Sequence, residues 1–372
     1  MATISINKNP TPIQIEEFAG QVKSRDKELR IPSSLKERGM LGVEGLLIQL
    51  ITTWIRNTPD PTLHTHATDE LSFGNLCDQL YGIYALAASN NILDQNRKKV
   101  PKKDALKKAA VSIEKIRNQD FISAFKGHYT AIPSIRAPGT QSELDNPFYN
   151  NSEIASLIRF ETTIRKALYT ILPKSIFKQV DPNFFSAISN VVRELFGNTH
   201  SYARSKENGD LFTTNIRAVT LCFHRIHKEN LSSIYYETSM QGVLSTIEWM
   251  EDKDLIPFLD ITVVDGGPGF SGSWLKKSRD EISIDEEKSA VVECFKKHGT
   301  SSANPSKGYG LTNVMREVRR LRGRMQVTTG RVQLEKGFFL GKGNLDFTKE
   351  DCRELRAPLE GTSISISLPF LK

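Results

Sequence analysis

Two side chains that can share one chemical task lie one helical turn apart near the middle of the chain. Residues 182–202 have apolar positions at helical spacing, and on their polar side Glu194 precedes Asn198 by four positions. Residues four apart project from the same face of a helix. A carboxamide oxygen can ligate a hard cation such as Mg²⁺, and a neighbouring carboxylate can orient and deprotonate a water molecule. A solvated helix face would show the same pair, so the pair acquires meaning only from its context.

A second candidate site follows a run of β-branched residues. The run at 258–264 predicts a strand, and Asp265 begins the glycine-rich sequence that follows it directly. An aspartate at the end of a strand can accept a hydrogen bond from the exocyclic amine of adenine. The nearby Gly267 and Gly269 would let the backbone approach a planar ring closely. An ordinary turn also uses aspartate and glycine, so both interpretations stay open for this segment.

A glycine motif leads into the amphipathic helix that helical spacing predicts for residues 311–321. Backbone N–H groups at a helix N-terminus preceded by glycines can bind a phosphate, and a lysine beside them would add positive charge. The residues of this lead-in are Lys307, Gly308, Gly310 and Leu311. Glycines that serve only as loop hinges would look the same, so this motif is weak when taken alone.

A Gly-Thr pair, Gly361 and Thr362, opens residues 363–368, which alternate serine with apolar residues and predict a strand. In chain order the four motifs are Glu-x-x-x-Asn on a helix, D-x-G-x-G after a strand, G-x-G-L before a helix, and G-T-x-I on a last strand. This order resembles the GHKL ATPases (gyrase, Hsp90, histidine kinase and MutL). The sequence from Leu321 to Gly323 is also similar to a step that follows the second glycine motif there. The resemblance covers roughly residues 150–372.

The resemblance implies a fold class and a set of ligands. We expect an α+β protein with a C-terminal Bergerat-type α/β sandwich, in which a mixed sheet is covered by helices on one face. ATP and Mg²⁺ would be the bound ligands, and residues of about 270–307 would correspond to a lid over the nucleotide. A lid that becomes ordered around ATP is a natural switch.

The resemblance also implies a role for each motif residue. Asn198 would ligate Mg²⁺, and Glu194 would be the general base that activates water. Asp265 would contact the adenine amine, with Thr362 sharing a water molecule with it against the base. The residues that would lie close to the base or along the triphosphate are Gly267, Gly269, Lys307, Gly308, Gly310 and Leu311.

The expected function is an ATP-driven conformational switch with slow hydrolysis. Sensor histidine kinases often carry another residue at the position of Glu194, which favours hydrolysis here. One alternative is a protein kinase, either histidine-kinase-like or an anti-sigma-type serine kinase, with its phosphoacceptor in trans. Another is a non-hydrolysing ATP sensor that binds nucleic acid. The resemblance further implies a homodimer, and a switch implies a protein partner that the sequence does not identify.

The elements around these motifs divide the chain into three parts. Residues 1–132 are predicted to be a mainly helical region of unknown role, with helices at about 41–55, 69–90 and 104–125. Three prolines within 133–151 indicate a linker. Residues 152–372 would then form the ATP-binding domain.

Composition narrows the class of protein further. The 372 residues are 38% hydrophobic and 25% charged, which is ordinary for a globular protein. There is neither a long apolar run nor a signal-peptide pattern, so we expect a cytoplasmic protein without a membrane partner. The net charge is +7, and the basic segment Arg97–Arg117 is a candidate nucleic-acid contact or simply a solvated surface. Four widely spaced cysteines indicate neither a zinc site nor a disulfide framework.

Overall fold

The computed structural model describes residues 2–22, 27–36, 41–140, 142–227, 254–296, 310–338 and 345–370. Within these ranges the chain is a mixed α and β structure that contains several helices and more than one sheet. None of the helices in the described ranges has the length and apolar character that crossing a membrane would require.

The N-terminal region contains a four-stranded parallel sheet in the order β1-β2-β3-β4. Its strands are Ala2–Ser5 (β1), Lys27–Arg30 (β2), Thr62–His64 (β3) and Asn91–Leu93 (β4). Its helices are Pro12–Val22 (α1), Val43–Asn57 (α2), Glu70–Leu76 (α3), Leu80–Ala88 (α4), Lys102–Ala105 (α5), Lys107–Arg117 (α6) and Phe121–Ala124 (α7). The prediction of a mainly helical region missed this sheet, because strands of three or four residues are too short to show an alternating pattern.

A second, larger sheet has five antiparallel strands in the order β10-β11-β9-β8-β5. Its strands are Tyr129–Arg136 (β5), Asn215–His227 (β8), Leu255–Asp265 (β9), Arg324–Gly337 (β10) and Cys352–Pro369 (β11). A short hairpin pairs Tyr149–Asn150 (β6) with Glu153–Ile154 (β7). The sheet is therefore wholly antiparallel where a mixed sheet was expected.

The segment predicted as a linker, 133–151, is part of the folded structure rather than a connection between domains. Its first residues belong to β5, which pairs with β8 at one edge of the large sheet. Pro133 misled the sequence prediction, since proline is tolerated on an edge strand, where its missing N–H is not needed by a neighbour. Residues at the other end of the segment form β6.

Helices cover both faces of the large sheet, although one covered face was expected. On one face lie Leu157–Ile171 (α8), Lys174–Gln179 (α9), Pro182–Tyr202 (α10) and Gly310–Arg320 (α13), of which α10 contacts β8 and β9 directly. On the opposite face α1 and α2 of the N-terminal region pack against β11. Buried apolar residues of both regions form one continuous core.

The face beneath α2 is buried although it is polar. Ser363, Ser365 and Thr262 lie there, each with less than a twentieth of its surface exposed, and the Thr262 and Ser365 hydroxyls are 3.1 Å apart. The Gln49 side chain of α2 donates to the carbonyl oxygens of Thr328 at 3.1 Å and of Gly361 at 3.2 Å. Small side chains and satisfied hydrogen bonds thus let the helix approach the strands closely.

The first part of the expected lid, residues 270–307, is helical. It contains Gly269–Leu275 (α11), a 3-10 turn at Arg279–Glu281 and Ile284–Phe295 (α12). Glu287 of α12 is fully buried and pairs with Arg331 of β10 at 2.5 Å. This part of the segment is therefore attached to the sheet through α12.

The close packing of α2 can be tested with two identical substitutions. A methyl group at Gly45 would overlap Ser363 Oγ and lie 2.8 Å from Thr262 Cγ2, whereas one at Gly20 of α1 would lie 3.6 Å from Ala357 Cβ. We predict that Gly45→Ala lowers the free energy of unfolding by about 1–3 kcal/mol because the packed interface must shift. Gly20→Ala should leave it unchanged or raise it by up to about 1 kcal/mol. Equal effects in urea unfolding would contradict this packing.

Candidate functional site

A cavity of about 350 Å³ lies between α10, the end of β9, the middle of β11, and the starts of α11 and α13. Seven of the ten residues singled out from the sequence line it: Glu194, Asn198, Asp265, Gly269, Gly310, Leu311 and Thr362. Gly267 lies in the turn next to Asp265, and Lys307 and Gly308 are outside the described residues. The structure therefore brings together motifs from distant parts of the chain.

Helix α10 places two of these side chains along the cavity. The helix begins after Asp181, whose carboxylate accepts the backbone N–H of Asn183 at 2.8 Å, with Pro182 in the first turn. Its apolar side is buried, which turns Glu194 and Asn198 toward the cavity. Both are partly exposed, as a metal ligand or a base that must reach a ligand would have to be.

Asp265 occupies the end of β9, opposite Thr362 on β11. Its side chain is buried, and its Oδ1 accepts the backbone N–H of Gly267 at 2.8 Å. Burial raises the pKa of the carboxyl from 3.8 to about 6, although hydrogen bonds from Gly267 and Thr362 and the charges of Arg56 and Arg217 act in the opposite direction. At neutral pH the carboxylate form still predominates, so Asp265 is available as a hydrogen-bond acceptor.

Two glycines are required by close backbone contacts around this carboxylate. Gly361 has a φ of 81°, and a Cβ there would overlap the carbonyl oxygen of Asp265. A Cβ on Gly267 would lie 2.6 Å from the Cα of Ala203, where α10 ends. These glycines let the middle of β11, the turn after β9 and the end of α10 approach closely, which is a structural role beside the expected approach to a planar ring.

The start of α13 lies against the carboxylate of Glu194. A Cβ on Gly310 would be 2.6 Å from Glu194 Oε2. The helix N-terminus, where an anion would be favoured, and the candidate general base therefore meet at the same end of the cavity. Arg193 lies there too, with its Nη1 3.8 Å from Glu194 Oε1.

The cavity-lining Thr362 contacts a second threonine, Thr329 of β10. The hydroxyls of Thr329 and Thr362 are 3.2 Å apart, and Thr329 Oγ1 accepts the backbone N–H of Phe270 at 3.1 Å. The sequence analysis did not single out Thr329. Nothing in a strand pattern distinguishes it, because its importance comes from its pairing with β11.

A buried arginine beside Asp265 was also missed. Arg217 of β8 is the register partner of Asp265 and has no exposed surface. It pairs with Glu143 at 3.3 Å and donates to the hydroxyl of Tyr149. Its positive charge favours the carboxylate form of Asp265. Glu143 and Tyr149 lie in the segment expected to be a linker, so the sequence pattern offered no reason to connect them with the site.

The basic segment Arg97–Arg117 carries less free charge than its sequence suggests. Four of its side chains form ion pairs with acidic residues of the same region: Arg97 with Glu28, Lys107 with Glu70, Lys108 with Asp78, and Arg117 with Glu114. Lys98, Lys99 and Lys103 have no ion pair among the described residues. This pairing reduces the positive field that would attract a polyanion.

No family model, curated protein or solved structure matches this chain. The chemistry of the site therefore has to be inferred from its own residues and their geometry.

The raised pKa of Asp265 implies that the stability of the fold depends on pH. The carboxyl titrates near 3.8 when unfolded and at about 6 when folded, so its protonated form stabilises the fold below pH 4, and this contribution is lost as the pH rises through 6. Asp265→Asn cannot ionise. The margin is the free energy of unfolding of this variant minus that of the wild type. We predict that the margin is positive and grows by about 1–3 kcal/mol between pH 4 and pH 7.5.

Chemical unfolding over this pH range measures that margin. Asp280→Asn, the same change at an exposed site, is the matched control. A margin for Asp265→Asn that varies with pH no more than the Asp280→Asn margin does would show that this carboxyl is not destabilised by burial.

Proposed function

We propose that this chain binds ATP with Mg²⁺ in the cavity beneath α10 and hydrolyses the nucleotide slowly, as a member of the GHKL family with a Bergerat-type fold. The observation that carries the proposal is the convergence of four motifs on one cavity, although they are spread between residues 194 and 362. The order of the four motifs in the sequence alone suggested the family. Their common location in the cavity agrees with the role that the family resemblance implies for each motif.

The adenine would lie at the Asp265 end of the cavity. Asp265 is mostly ionised at neutral pH and would accept the exocyclic amine, with the hydroxyl of Thr362 available to hold a water molecule against the ring. Val263 and Ile364 offer apolar surface on the sheet side, and Phe270 and Trp274 line the cavity as well. Such a mixture of apolar walls and a few fixed polar groups suits a nucleobase.

The phosphates would lie at the other end, near the start of α13. Helix N-termini favour anions, and the glycines before this helix would leave room for them. The described residues contain no cluster of three or more His, Cys, Asp or Glu side chains able to hold a metal. Mg²⁺ would therefore be ligated by Asn198 together with the phosphates and water, as this ion commonly is.

Glu194 is placed to activate water for attack on the terminal phosphate. Its carboxylate lies beside Gly310, and thus beside the proposed phosphate position. Among the described residues that line the cavity, Arg193 is the sole cation, and it lies next to Glu194. With so little positive charge available to the transition state from these residues, we expect slow turnover and a protein that acts as a switch.

A protein kinase would use the same cavity with a phosphoacceptor in trans, and Glu194 is the residue that favours hydrolysis over it. An ATP sensor that binds nucleic acid is less favoured, since part of the basic segment Arg97–Arg117 is neutralised internally. All three candidate functions include ATP binding, so ATP turnover has to be measured separately from ATP binding.

We predict separate losses from two substitutions. Glu194→Gln should keep ATP affinity within about twofold and lower phosphate release by at least about 100-fold, because it removes the base and preserves the shape. Asp265→Ala should weaken ATP binding by at least about tenfold, because a buried acceptor is lost. Phosphate release and the change in fluorescence of Trp274, which lines the cavity, measure the two quantities.

Glu317→Gln on α13 is the matched control, since Glu317 pairs with Arg320 and does not line the cavity. It should behave as the wild type does. Binding without phosphate release in the wild type, with no further loss in Glu194→Gln, would reject hydrolysis and favour phosphotransfer to a partner. No ATP binding by the wild type would reject the whole proposal.

A further inference from the structure

One arginine of the N-terminal region reaches the turn that follows Asp265. Arg56 lies at the end of α2, and its Nη2 donates to the carbonyl oxygen of Gly266 while its Nη1 lies 3.4 Å from the carbonyl oxygen of Gly267. The guanidinium therefore lies across two successive carbonyl groups of the turn. Arginine can hold such a fork of acceptors because its donors are fixed in one plane.

The guanidinium of Arg56 is itself held in place. Its Cζ lies 3.9 Å from the centre of the Phe212 ring, in a cation–π contact. Its Nη1 pairs with Glu360 Oε2 at 2.6 Å, and about four fifths of each side chain is shielded from solvent. An arginine with this many fixed partners loses little freedom when it holds the turn, so it is suited to positioning.

Glu360 connects this arginine to two other parts of the site. It directly precedes Gly361 and Thr362, and its backbone N–H donates to Thr53 Oγ1 of α2 at 2.9 Å. Its second carboxylate oxygen pairs with Arg279 at 2.8 Å, in the turn between α11 and α12. Burial alone would raise the pKa of Glu360, but Arg279 and Arg56 hold it below its ordinary value. One carboxylate thus links α2, β11 and the expected lid.

We propose that Arg56 is a positioning residue of the nucleotide site, which makes helix α2 of the N-terminal region a structural part of the adenine-binding end. This inference rests on the proposed ATP binding. Arg56 fixes the turn whose Gly267 N–H holds Asp265, and Glu360 extends the same connection to Arg279. Because coupling is reciprocal, any partner that displaces α2 weakens ATP binding, and bound ATP holds α2 against the sheet.

The electrostatic part of this role concerns Asp265. The charged groups that act on its carboxylate are Arg56 from α2 and Arg217 from β8, and each arginine has its own acidic partner, Glu360 and Glu143 respectively. Without Arg56 the carboxyl would take up a proton at a higher pH, because one of the two favourable charges is gone. ATP affinity should fall at acid pH as Asp265 takes up its proton, and we call this fall the acid limb of ATP binding. In the absence of Arg56 the acid limb should move toward neutral pH, which a merely structural role would not cause.

The test compares ATP affinity across about pH 5.5–8.5 for the wild type, Arg56→Met and Arg56→Lys. We expect Arg56→Met to weaken ATP binding at least about tenfold at neutral pH and to move the acid limb upward. Arg56→Lys keeps the charge but cannot span both carbonyl groups, so it should weaken binding while leaving the acid limb near that of the wild type.

Arg353→Met is the matched control, because Arg353 also ties an N-terminal helix to β11, through Glu16 at 2.6 Å, yet touches no residue of the turn. Its affinity and pH profile should match the wild type within about twofold. Should Arg56→Met fail to fold, Glu360→Gln loosens the same arginine and should weaken ATP binding as well. Wild-type affinity and pH profile in the folded Arg56 variants would overturn the role of Arg56 and leave ATP binding intact, whereas a wild type that binds no ATP would remove both proposals.

Discussion

The pairing of β9 with β11 is the constraint on which the remaining structure depends. Its register places Asp265, the last residue of β9, opposite Thr362 in the middle of β11. Along the same strands, alternate side chains point to opposite faces. Val263 and Ile364 line the cavity, and Thr262 and Ser363 lie beneath α2. A one-residue shift in the register of a strand would turn its cavity-lining side chains toward α2 and its α2-facing side chains toward the cavity. Both the cavity and the surface on which α2 packs would then be lost.

The same pairing unites the two halves of the chain. Serine and threonine on a buried sheet face would ordinarily cost stability, but here they are small, hydrogen-bonded, and matched to a helix that carries Gly45 at the closest point. Gln49 of that helix satisfies the carbonyl oxygens of Thr328 and Gly361. An N-terminal region attached in this way cannot move as an independent domain without disturbing strands that also line the cavity. This coupling would be the physical basis of the proposed conformational switch.

Long elements with strong periodicity were predictable from the sequence. Helix α10 was predicted at 182–202 and spans those residues, and β9 and α13 were located to within a few residues. The motif residues on these elements were predictable because Glu194 and Asn198 have helical spacing, whereas Asp265 and Gly310 stand at element ends. Their roles remain predictions, but their meeting in one cavity was an expectation that the geometry agrees with.

Features that depend on distant contacts were not predictable. The parallel strands β1 to β4 each place only one or two residues in the core, so no pattern marks them. The alternation of serine along β11 predicted a strand, but only the position of α2 shows what covers its serine side. Arg56 lies in the last turn of an ordinary helix, and the residues that it contacts, Gly266 and Glu360, are hundreds of positions away in the sequence. Long-range pairing of this kind leaves no local trace.

The most direct measurement is a crystal structure of the protein with Mg²⁺ and a non-hydrolysable ATP analogue. We predict that the adenine amine lies within hydrogen-bonding distance of the Asp265 carboxylate, that Mg²⁺ is bonded to the Asn198 side-chain oxygen, and that the terminal phosphate lies between Glu194 and the start of α13. An analogue bound elsewhere, or a cavity that stays empty at saturating analogue, would contradict the assignment of this cavity as a nucleotide site.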